Sequence, residues 1–216
     1  MQLFYEAYLY LLNNLADFGE ALSIHLRLSF SALAIAVAVC LPLGIWATRH
    51  ARAAPLVINS IGALRVIPSL AILFLMLPLP YPLGGIGFRP ALIALTVLAC
   101  PPILLNTYAG FQGVDRAVIE AARGMGMSTA QVLREVEWPL ALPVIIAGVR
   151  TAAVEVIASA TLAAYIGGGG LGDYIQRGFN LLETPILLVG ALPVALLSLA
   201  VELLLGWVQR LVSPLS

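Results

Sequence analysis

Residues 28–48 are 21 consecutive positions without a charge. A helix of that length rises about 30 Å, the thickness of a bilayer's hydrocarbon core. Four more apolar runs follow. Residues 53–79 carry one charge, Arg65, and a helix-bending Pro68. Residues 90–113 are uncharged and interrupted by Pro101 and Pro102, residues 138–166 hold Arg150 and Glu155, and residues 184–212 hold Glu202. A Pro- and Gly-rich turn is expected over residues 80–89. Only 10% of the chain is charged and 61% is hydrophobic, where soluble domains carry about a quarter charged residues. The expected fold is an all-α membrane protein of about five transmembrane helices, a single domain over residues 21–212.

Ahead of it, Phe4, Tyr5, Tyr8, Leu11, Leu12 and Leu15 recur at helical spacing with Glu6, Asn13 and Asn14 between them. This reads as an amphipathic interfacial helix over residues 1–20. No basic n-region precedes it, so the first long run is expected to act as an uncleaved insertion signal.

Several chemistries find no support. The formal net charge is zero, which suggests no nucleic-acid partner. Cys40 and Cys100 both sit in apolar runs and read as small core residues, and no Cys/His cluster suggests a metal site. All 11 basic residues are arginine; a P-loop ending in Gly-Lys is therefore absent. The chain is expected not to be an enzyme and to bind no cofactor, any ATP being held by a partner.

Residues 115–139 are the polar interruption, with seven charges in 25 positions. Asp115 suits the cap of a first short helix, and Gly124 and Gly126 interrupt it. Ser128 followed by Gln131 is a capping-box pattern for a second short helix with Val132, Leu133 and Val136 as its apolar stripe. Two short helices about a glycine turn would form a knob that docks into a groove on a partner. Arginines orient it. Arg49, Arg52, Arg116, Arg123, Arg134 and Arg210 fall on one side of a five-span chain, and Arg27, Arg89 and Arg177 on the other. The positive-inside rule then puts this loop and the C-terminus in the cytoplasm and the N-terminus outside.

Glu120-Ala121-Ala122, three residues, Gly126, nine residues, Val136, one residue, then Trp138-Pro139 resembles the EAA loop of ABC-importer permeases, E-A-A-x3-G-x9-I-x-L-P. Val136 stands for Ile and Trp138 for Leu; both keep bulk and apolarity. Further stretches are similar to permeases of osmoprotectant importers that carry glycine betaine, choline, carnitine or proline betaine. They are residues 67–71 (IPSLA), 84–87 with 90–95, 102–110 (PILLNTYAG), 148–152 (GVRTA) and 160–172. The resemblance covers residues 20–212. It implies a type I importer transmembrane subunit in a bacterial inner membrane, with Glu120, Ala121, Ala122, Gly126, Val136 and Pro139 forming the surface that couples to an ATPase dimer. It also implies a second permease copy or paralogue and an extracytoplasmic substrate-binding protein, for which residues 167–179 would be a docking region.

Charged and small polar groups at membrane depth are the candidate translocation path: Ser69, Asn106, Thr107, Arg150, Thr151 and Glu155. Such groups are costly in lipid and face a cavity or each other, though the small ones also serve as interhelical glue. Glu155 is expected to pair with Arg65 or Arg150 or to meet a cationic headgroup; Glu202 has no evident partner. Two other functions remain compatible with the sequence: a permease for methionine or another small amino acid, and an ion-gradient-driven secondary transporter.

The orientation is testable directly. A cysteine at Met127 is expected to react with a membrane-impermeant maleimide only after the cytoplasmic face is opened, whereas labelling of intact cells would overturn the assignment.

Overall fold

A computed structural model of the chain describes residues 2–80 and 83–213. Residues 81 and 82 of the turn expected over 80–89, and residue 1 of the interfacial segment, lie outside the described residues.

Helix α1 (Gln2–Asn13) ends where the Asn14 side-chain amide donates to the Tyr10 carbonyl at 2.8 Å, replacing the backbone bond that would continue the helix. Helix α2 (Leu15–Arg49) starts at once and runs 35 residues. The first short helix is therefore shorter than the sequence suggests, since residues 15–20 already belong to the first long helix. Ala7, Tyr10 and Leu11 of α1 join Ile186 and Val189 in one apolar cluster, so α1 packs on the last helix of the chain.

The second apolar run is broken rather than bent. Helix α3 (Ala54–Ala63) tightens into a 3-10 turn at Leu64–Val66, and α4 (Ser69–Leu75) leaves at 101° to it. Pro68 disfavours helical geometry in the residue before it, and Ile67 is accordingly extended at φ −81°, ψ 123°. Helix α5 (Phe88–Gln112) remains one helix through Pro101 and Pro102. Among the described residues four helices are long and apolar enough to cross a membrane, and the broken pair makes a fifth crossing if taken as one.

The polar loop holds α6 (Arg116–Gly124) and one turn of α7 (Thr129–Gln131). Asp115 accepts from the Ala117 N–H at 2.9 Å, and Ser128 and Gln131 form the reciprocal capping box. Between them Gly126 adopts φ +89°, a left-handed conformation that a Cβ would strain. The second short helix does not stop as the sequence suggests. Helix α7 widens into a π-helical turn, Val132–Glu137, and passes without a break into α8 (Trp138–Ser159). Pro139 has no N–H to give the Glu135 carbonyl one turn back and would crowd it; a π turn just before the proline takes up that misfit. Helix α8 ends in a second 3-10 stretch, Ala160–Ile166, followed by α9 (Gly172–Leu181) and α10 (Thr184–Val212).

Helix α5 is the centre of the bundle, with α2 on one side and α8 on the other, while α8 and α9 both pack on α10. On α2 the buried Leu28, Ala32, Ala36, Cys40 and Gly44 recur every four residues. That stripe of small side chains lets α2 approach α5 closely. Gly148 does the same between α8 and α5, because a Cβ there would stand 2.5 Å from that of Asn106.

Candidate functional site

Two groups of residues matter, one at the polar-loop end of the bundle and one midway along it. At the loop end, Glu120 and Ala121 lie exposed on α6 while Ala122 is buried beneath them, with Gly126 and Pro139 exposed and Val136 half-buried. Helix α6 rests on the π turn, whose Val132 is buried. Trp138 packs on Phe111 with ring centroids 6.0 Å apart, in a cluster with Leu41, Ile45, Leu133, Ala141 and Ile145. The knob is thereby seated on the ends of α2, α5 and α8.

An ion pair locks that seat. Glu137, in the π turn, is 97% buried, being 3% exposed, and both its oxygens accept from the Arg49 guanidinium at the end of α2, one of them at 3.1 Å. Sequence reasoning missed the pair. The residues are 88 positions apart, and Glu137 looked like one more charge in a solvated loop.

Midway along the bundle, a cavity of about 200 Å³ is lined by Arg65, Pro68, Ser69, Pro101, Glu155 and Ser159 among others. Three interruptions of helical hydrogen bonding meet around it. The break between α3 and α4 supplies Arg65, Pro68 and Ser69. Pro101 and Pro102 leave the Val97 and Leu98 carbonyls without their backbone donors, and the 3-10 stretch begins just after Ser159. Arg65 is the charged group whose field acts on Glu155. Neither residue belongs to an ion pair within 4 Å among the described residues.

The expected path residues therefore divide. Ser69 and Glu155 share the cavity. Asn106 donates to the Pro102 carbonyl at 2.8 Å, the buried Thr107 to Ile103 at 2.7 Å, and Thr151 to Ala147 at 3.0 Å, all within their own helices. Arg150 does not meet Glu155. Its Nε lies 3.4 Å from the Glu202 carboxylate, and Gly206 leaves room for its guanidinium, since a Cβ there would come 3.2 Å from Nη1. Of the two partners considered for Glu155, only Arg65 faces it, and Glu202 has its partner in Arg150. Ser159 is the addition that spacing alone did not single out.

At the opposite end from the polar loop, the glycine run is ordered. The Gly87 N–H donates to the Ile166 carbonyl at 2.7 Å, and Gly170 abuts His25, whose Nε2 is 3.1 Å from the Ile157 carbonyl. A hollow of about 270 Å³ opens there between α1, α2 and α9, lined by Tyr10, Asp17, Glu20, Asp173, Tyr174 and Arg177 among others.

The family model described as "Binding-protein-dependent transport system inner membrane component" matches residues 15–214. The chain belongs to this family. It is the permease subunit of an ABC importer, and the EAA-loop resemblance is borne out. The carnitine transport permease protein OpuCB of Listeria monocytogenes is 47% identical over 190 residues, covering 88% of this chain and 85% of that protein. The choline transport system permease protein OpuBB of Bacillus subtilis is 42% identical, covering 88% and 86%. The osmoprotectant import permease protein OsmW of Salmonella typhimurium is 37% identical, covering 95% and 96%. Among solved structures, the inward-facing MetNI methionine ABC transporter superposes with a TM-score of 0.77 at 20% identity, covering 91% of this chain and 96% of the matched chain. The fold is thus that of a type I importer transmembrane domain, in a multi-pass membrane protein that works with an ATPase and a binding protein.

The seat of the knob in this permease gives a stability prediction. Arg49→Ala strands a buried carboxylate and is expected to cost roughly 2–3 kcal/mol, less than for a fully buried pair because the guanidinium reaches water. Thermal unfolding in detergent checks it. The double variant Arg49→Met, Glu137→Met is expected to recover most of the loss.

Proposed function

We propose that this permease imports quaternary-amine osmoprotectants of the glycine betaine, carnitine and choline kind, driven by ATP hydrolysed on a separate ATPase dimer. The observation that carries the solute class is the set of relatives at 37–47% identity, named as carnitine, choline and osmoprotectant permeases, over at least 88% of the chain. The likeness to a methionine importer is one of fold at 20% identity, so the amino-acid alternative has less support.

In this reading the loop over residues 115–139 lies in the cytoplasm and the N-terminus outside. The exposed Glu120 and Ala121, with Gly126 shaping the turn, meet the ATPase, while Ala122, Val136 and Pro139 hold the knob in place. Closure of the ATPase dimer on ATP drives two such knobs together, one from this chain and one from a second permease copy or paralogue. Each knob is continuous with α8 and tied to α2 through Arg49 and Glu137, so its displacement tilts both helices and turns the pathway outward. A binding protein would dock around residues 167–179, where the hollow beside Asp173, Tyr174 and Arg177 offers charged and aromatic contacts. Ser69 and Glu155 line the path; Asn106, Thr107, Arg150 and Thr151 take part through the helix geometry their bonds maintain.

Co-purification tests the coupling. The ATPase is expected to remain bound to the wild-type permease through detergent extraction and to be lost from Glu120→Lys, which reverses a charge on the docking face without touching the core. Retention of the ATPase by that variant would remove α6 from the interface.

A further inference from the structure

Lining the cavity between α4, α5 and α8 are one cation and one anion. Arg65 arrives on the 3-10 turn before the break at Pro68, and Glu155 on the penultimate turn of α8. Neither belongs to an ion pair within 4 Å among the described residues, yet the Arg65 charge acts on Glu155. Ser69 and Ser159 line the same cavity, and Pro68 keeps the wall between α3 and α4 from closing into regular helix.

We infer that this cavity is a transit subsite for a zwitterion, the Arg65 guanidinium receiving the solute's carboxylate and Glu155 facing its quaternary ammonium. The inference rests on the osmoprotectant reading above and goes further, since it separates the members of that class. A trimethylammonium group carries permanent charge and donates no hydrogen bond, so it needs only a nearby anion. A carboxylate, in contrast, needs donors, and a guanidinium offers a fork that fits both oxygens. The empty site is neutral overall, which limits the cost of holding two charges at membrane depth. A betaine or carnitine, itself neutral overall, enters without changing that balance and interposes its two ends between the two charges. Choline has the ammonium and lacks the carboxylate, so it would use Glu155 and bypass Arg65. The volume, about 200 Å³, accommodates one small solute and no more. An arrangement with Glu155 alone would have served any cation; Arg65 adds the discrimination.

The experiment uses the complete importer in proteoliposomes, with ATP inside, saturating binding protein outside, and radiolabelled glycine betaine or choline supplied separately. Arg65→Gln is expected to lower glycine betaine uptake about tenfold, as for loss of a charged hydrogen bond, with choline uptake within about twofold of wild type. Glu155→Gln is expected to lower both by about tenfold on the same ground. Arg65→Lys keeps the charge but loses the guanidinium fork, and is expected to lower the betaine-to-choline ratio by less than Arg65→Gln does; it also guards against an Arg65→Gln protein that fails to assemble. Equal losses for the two solutes in Arg65→Gln, or no loss for either, would overturn the subsite. If Arg65→Gln does not assemble, a lowered betaine-to-choline ratio in Arg65→Lys supports the subsite, and an unchanged ratio overturns it. Wild-type complex that transports neither solute would instead overturn the osmoprotectant reading on which the inference rests.

Discussion

A peptide group in hydrocarbon has no water to bond, so every N–H and C=O in a membrane-crossing segment must find its partner inside the protein. This constraint makes the permease helical and also makes each departure from the helix informative. Departures occur at the α3–α4 break, at the proline pair of α5, and where α8 changes to 3-10 geometry. These three border one cavity, together with Arg65, Glu155 and two serines, while the π turn lies at the polar-loop end. Irregular backbone is tolerated at that depth where it lines such a space. On the outward face of α10, Leu196, Leu199, Leu203 and Trp207 stand exposed in the single chain.

The same constraint explains how a displacement at one end reaches the middle. The π turn allows α7 and α8 to form a continuous rod past Pro139, and Glu137 in that turn is held by Arg49 at the end of α2. A push on α6 is thus received by two long helices rather than by a loose tether. Helix α8 carries Glu155 into the cavity from the knob's side, while α5, packed between α2 and α8, carries Pro101 to its opposite wall. The Arg150–Glu202 pair, seated where Gly206 opens the surface of α10, ties α8 to the last helix. Stiff elements joined by a few buried or half-buried charge pairs are suited to rocking as bodies.

Much of this was legible in the chain itself. Long apolar runs marked the crossings, and Asp115, Gly126, Ser128 and Gln131 marked the loop's caps and turn because capping and positive φ are local requirements. Glu155 stood out because a carboxylate at that depth is costly. What local rules could not supply was pairing. Arg49 and Glu137 meet through tertiary packing, Arg150 turns to Glu202 rather than to Glu155 further along the same helix, and Asn106 and Thr107 bond back to their own helix. The end of the second short helix was misread because a proline usually starts or breaks a helix, and a widened turn that absorbs one leaves no signature in spacing. The Asn14 break was hidden for a similar reason, an asparagine near an apolar run being compatible with either outcome.

The central claim is that this chain receives work from an ATPase rather than from an ion gradient. Uptake of labelled glycine betaine by proteoliposomes holding the permease, its ATPase and its binding protein tests it most directly. Accumulation is expected with ATP inside, to persist when ionophores abolish every proton and sodium gradient, and to vanish with a non-hydrolysable ATP analogue. Uptake that follows an imposed gradient and proceeds without ATP would contradict the account.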